Sequence, residues 1–125
     1  DLIVHDRKTR TNKTIQKKVG RSLHAIPNSN LISYISKENT PWEIRSLNPK
    51  TGTTKKIVNA IDKREDICWL PDGTLLAANK NVIFKYNPTT DKICTVFHTF
   101  PKETFNNISR ILVNKKGTKL VLVSE

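Results

Sequence analysis

The stretch "LPDGTLLAAN" at residues 70–79 has a near copy at 26–35, "IPNSNLISYI". Pro71 follows Pro27 by 44 residues, and in the same alignment Asp72 falls on Asn28, Leu75 on Leu31 and Leu76 on Ile32. A weaker third copy, "NKKGTKLVLV" at 114–123, sets Gly117 another 44 residues after Gly73 and inserts Lys119 before its apolar run. A period of this size constrains the fold more than any composition does. Each repeat must be one supersecondary unit that buries its apolar face only against the next.

A second motif lies between these copies. "LNPKTG" at 47–52 matches "YNPTTD" at 86–91, and "HDRKTR" at 5–10 is a degenerate relative. Both motifs carry turn chemistry. Pro27 and Pro71 preset φ, Asp72 bonds its own backbone, and Gly73 and Gly117 accept positive φ. The runs between turns are four to six residues long and rich in Leu, Ile, Val and aromatic residues, which is strand composition. No run keeps helical periodicity over a long window, and Pro101–Asn107 reads as a turn or loop.

Strands counted this way give two, then four (Ser22–Val58), then four (Asp66–His98), then two (Ser109–Val113 and Leu120–Val123). Four-stranded units at this period predict an all-β fold, a β-propeller fragment of about three blades' worth of antiparallel sheets. The expected division of residues 1–125, as part of one propeller domain, is an outer half-blade at 1–19, blades at 20–62 and 63–100, and an inner half-blade at 101–125. Closed propellers need about four to eight blades. The expectation is therefore either a piece of a longer chain, the C-terminal half of a roughly six-bladed propeller, or self-association of two copies that completes the ring. The chain opens on Asp1 with a strand pattern at once, which suggests a trimmed N-terminus and is compatible with a lost export signal.

The segment "CWLPDGTLLAANKNVIFKYNPTTDKI" resembles the repeat of TolB-like, WD-repeat-like six-bladed propellers, whose blades carry a Trp-Ser-Pro-Asp-Gly-like turn. Trp69, Pro71, Asp72 and Gly73 match it, and Leu70 replaces the usual Ser. The first copy departs further, with Ala25 for Trp, and the last keeps only Gly117. The resemblance implies a binding platform or an accessory domain of a larger enzyme. It also implies an exported bacterial protein, periplasmic or of the cell envelope.

Propeller topology gathers the turns at Pro27, Pro49, Pro71 and Pro88 on one face and the longer links on the other. Loops on a rigid scaffold are where binding usually resides. In register, Arg21 matches Glu65 and Ser109, while Ser22 matches Asp66 and Arg110, so Arg21, Glu65, Asp66 and Arg110 are expected to ring the channel mouth. They form either a site for a polar ligand or peptide terminus, or a network of charges tying blades together. His24, Trp42 and Trp69 read as packing residues.

The chain lacks a nucleophile elbow, a metalloprotease helix, a phosphate-cradling glycine loop and any Cys/His cluster, so no catalytic residue, metal or cofactor is expected. Cys68 and Cys94, on the first and fourth strands of one blade, are expected about 14 Å apart, too far for a disulfide. With a net charge of +11, weak binding of an anionic polymer is an alternative. Nucleic acid itself is disfavoured, because no aromatic residues interleave the bases-binding cations that such a surface needs. No apolar run reaches the length of a membrane span. The expected partner is a protein, peptide or glycan.

Overall fold

The computed structural model describes all 125 residues. It holds twelve strands and no helix: β1 (Leu2–Asp6), β2 (Thr11–Gln16), β3 (Val19–Ala25), β4 (Ile32–Ser36), β5 (Glu43–Leu47), β6 (Thr54–Asn59), β7 (Ile67–Trp69), β8 (Leu75–Asn79), β9 (Val82–Tyr86), β10 (Thr95–Thr99), β11 (Ile108–Val113) and β12 (Leu120–Ser124). They form antiparallel sheets of two, four, four and two strands, in the orders β1-β2, β3-β4-β5-β6, β7-β8-β9-β10 and β11-β12. The fold is all-β and the sheets follow the expected two-four-four-two count. Residues 101–107 form a turn and loop, Thr104 and Phe105 both donating to the Pro101 carbonyl.

The core is three layers between successive sheets. Leu2, Tyr34 and Leu47 fill the first. Ile35, Ile44, Ile67, Trp69 and Leu75 are among those filling the second, and Cys68, Leu76, Ile83, Ile108 and Ile111 are among those filling the third. A strand's side chains alternate between faces. In β4, Tyr34 therefore faces the sheet before it while Ile35 faces the sheet after it. β8 is sandwiched on both faces, which is why "LLAAN" is an unbroken apolar run rather than an alternating one. β10, outermost in its sheet, is exposed along its length.

The turns carry the chemistry read from the sequence. Asp72 Oδ1 accepts from the Thr74 amide at 2.9 Å, and Gly73 sits at φ 90°. Asp6, Asn48 and Asn87 each accept from the amide two residues on, at 2.8, 3.0 and 3.0 Å. The turns also meet between sheets. Asn28 Nδ2 donates to the Pro71 carbonyl at 3.3 Å, and a Cβ at Gly117 would lie 2.7 Å from Pro71 Cδ.

One alignment needs correction. Sequence matching sets Leu75 on Leu31, but Leu75 pairs with Trp69, while Ile32 pairs with Ala25. The first turn closes from Ile26 to Leu31 and the second from Leu70 to Thr74, one residue shorter. Leu75 is thus the counterpart of Ile32, and Leu76 of Ser33. A slip of one residue exchanges the faces of a strand.

Candidate functional site

β3, β7 and β11 each stand at one edge of successive sheets, with β7 next to both of the others. Their ends bring the four charged residues together in two pairs, each across a boundary between sheets. Arg21 Nε lies 3.6 Å from Glu65 Oε2, and Arg110 Nη1 lies 3.0 Å from Asp66 Oδ1. Both arginines are exposed and Asp66 is buried. Sequence reasoning missed Lys37, whose ammonium meets Glu65 Oε1 and lies 4.5 Å from the centre of the Trp42 ring. Its place in the 37–41 link, on the same face, was the available signal.

Gly20 makes room for this arrangement. A Cβ there would meet Ile35 Cβ at 3.0 Å and Glu65 Oε1 at 3.1 Å, tighter than most real contacts. Burial alone would raise the Glu65 carboxyl, but Lys37 and Arg21 outweigh it and hold it below the usual glutamate range. Its neighbour behaves oppositely: burial dominates at Asp66 and lifts its carboxyl above the usual range despite Arg110.

A groove of about 430 Å³ opens beside these pairs, lined by Arg21, His24, Asp66, Arg110 and the apolar Leu23, Ile67, Ile111, Leu112, Val121 and Val123. Glu65 sits behind the lining, under Gly20. His24 is half-buried, and desolvation pushes its imidazole below the usual histidine range. A larger cavity of about 570 Å³ beside β2 has Ile15 as its one apolar wall, so it lacks the mixed lining of a ligand cleft. No three His, Cys, Asp or Glu side chains converge as a metal centre would require.

Both tryptophans pack. Trp69 is buried between the two four-stranded sheets, its Nε1 donating to Ser33 Oγ at 2.8 Å. Trp42 packs against the same layer. Cys68 and Cys94 are free thiols.

No protein-family model matches the chain, and no curated protein matches it in sequence. Among solved structures, TolB from Acinetobacter baumannii superposes with a TM-score of 0.68 over 97% of this chain, at 20% identity. This is a TolB-like β-propeller fold. At that identity the likeness is one of fold, and the chain spans 31% of the TolB chain. The two four-stranded antiparallel sheets, β3–β6 and β7–β10, have the format of propeller blades.

Proposed function

We propose that this chain is part of a single, non-catalytic propeller domain that serves as a binding platform for a peptide or protein segment, received at the channel mouth by Arg21 and Arg110. The carrying observation is the groove beside the two charge pairs. Its volume falls within the roughly 300–1,000 Å³ of ligand clefts, and its lining combines an apolar floor with a few polar groups. The guanidinium groups stay open to solvent while Asp66 and Glu65 hold them from behind. A guanidinium so held presents its remaining donors to a peptide carboxylate in a planar fork.

The test uses an apolar N-acetylated pentapeptide with a free C-terminal carboxylate, followed by titration calorimetry. The carboxylate form should bind, its C-terminal amide at least about tenfold more weakly, and the Arg21→Ala/Arg110→Ala double variant should lose binding while staying folded. Equal binding of acid and amide, or binding unchanged in the double variant, contradicts the reading.

The net charge of +11 supports a second reading, weak binding of an anionic polymer. Retention on heparin that persists in moderate salt would favour it. An accessory role beside an enzyme domain is the alternative to the platform, and an exported location is proposed on the fold likeness alone.

A further inference from the structure

We propose that a second recess, built from the links between strands, is a site for a phosphate monoester of a polyhydroxy compound. Three links frame it. Arg64 comes from the link between β6 and β7, Lys80 and Asn81 from the turn between β8 and β9, and Lys102, Asn106 and Asn107 from the link between β10 and β11. Its volume is about 420 Å³, more than a bare tetrahedral ion fills. It shares no lining residue with the groove of the proposed function, so the two stand or fall separately.

Hydrogen bonds and packing fix the frame. Asn81 is 7% exposed. Its Nδ2 donates to the Phe100 carbonyl at 2.7 Å, and its own carbonyl accepts from the Phe100 amide at 2.9 Å. The Lys80 carbonyl accepts from the Ile108 amide at 2.8 Å, so the turn is tied to both ends of the β10–β11 link. Phe100 and Phe105, their ring centres 4.4 Å apart, pack against the third core layer and anchor that link. Arg64 is half-buried, and its Nε donates to Asn79 Oδ1 at 2.9 Å. That bond orients the guanidinium and leaves its Nη groups for a ligand.

The lining carries three cations and no acid. None of the three is in an ion pair, because Glu43, Glu65 and Asp66 are engaged by other cations. An apolar floor serves apolar ligands, whereas an oxyanion needs unpaired donors. This separates the recess from the polar cavity beside β2, where Glu43 neutralises Arg45. A cleft lined by one sign of charge concentrates the opposite ion. A phosphate monoester brings about −1.5 to −2 charges at neutral pH, and a guanidinium fork matches two of its oxygens. The asparagines add a different capacity. A side-chain amide both donates and accepts, which suits hydroxyl groups. Asn107 Oδ1 is buried with no donor. A buried acceptor left unpaired is costly, and a ligand hydroxyl is the donor that the chain does not provide. With no apolar side chain in the lining, an aromatic or lipid body finds no surface to pack on.

The test is titration calorimetry at fixed ionic strength with glycerophosphate, inorganic phosphate and glycerol. Glycerophosphate should saturate a single site per chain, bind more tightly than inorganic phosphate, and bind at least about tenfold more tightly than glycerol. Arg64→Ala should weaken it at least about tenfold. Lys102→Ala, at an exposed position, should weaken it severalfold with the fold intact by circular dichroism, and keeps the test decisive if Arg64→Ala unfolds. Lys116→Ala, on the turn between β11 and β12, should change nothing. Absence of saturable binding, inorganic phosphate binding as tightly as the ester, or equal losses in Lys116→Ala and Lys102→Ala overturns the proposal, the last of these giving the binding to the net charge of +11.

Discussion

At the residue scale, the glycines and ionisable groups carry the sharpest consequences. Gly73 and Gly117 hold equivalent left-handed positions, at φ 90° and 75°. A Cβ at Gly73 meets nothing within 4 Å, whereas one at Gly117 strikes the Pro71 ring. Gly73→Ala should cost about 1–2 kcal/mol from backbone strain alone, and Gly117→Ala measurably more, read as the larger fall in melting temperature. Equal falls would mean that the two turns do not touch. The acidic neighbours respond to pH in opposite senses. Glu65 titrates low, so its contribution is present at neutral pH and lost as pH falls through its folded value. Asp66 titrates high, so its contribution favours the fold at acid pH and is lost as pH rises through its folded value. Arg110→Ala lifts Asp66 further. The variant should lose about 1 kcal/mol at neutral pH, with the deficit shrinking under acid in urea titrations. A deficit independent of pH would contradict the pairing. Burial pushes the Cys68 thiol up to about 11. A thiol reagent should therefore label half-buried Cys94 first and Cys68 only on unfolding, as peptide mass spectrometry would show.

At the scale of elements, the strands were legible because their turns are. Asx residues, Pro and Gly at fixed offsets mark where each hairpin closes, and the apolar runs between them fix the strand count. Register was less legible. The 44-residue match is correct through Ala25 and Trp69 and fails after the turn, because the Leu70–Thr74 closure is one residue shorter than that of Ile26–Leu31. Nothing in the apolar run itself reveals the slip, since β8 is buried on both faces. Within the candidate site, the period put Arg21, Glu65, Asp66 and Arg110 at matching positions, while their joining as Arg21 with Glu65 and Asp66 with Arg110 came from the structure. Lys37 did not follow from the period, because it lies on a link that does not repeat and reaches Glu65 across a boundary. The same boundary holds the Trp69 to Ser33 bond. Trp69→Phe should cost roughly 1–3 kcal/mol, seen as a lower urea midpoint with an unchanged slope. A neutral substitution would mean that the indole donor is not engaged.

At the scale of the whole molecule, one sheet format repeated along the chain accounts for both the core and its open ends. Each blade is sealed only by its neighbour, so apolar side chains are exposed where a neighbour is absent. The most direct measurement is amide hydrogen exchange along the chain. β8, buried on both faces between successive sheets, should exchange slowest, and the exposed strands β10 and β12 fastest. Exchange in β8 as fast as in β12 would contradict a core built by sheets that seal one another in turn.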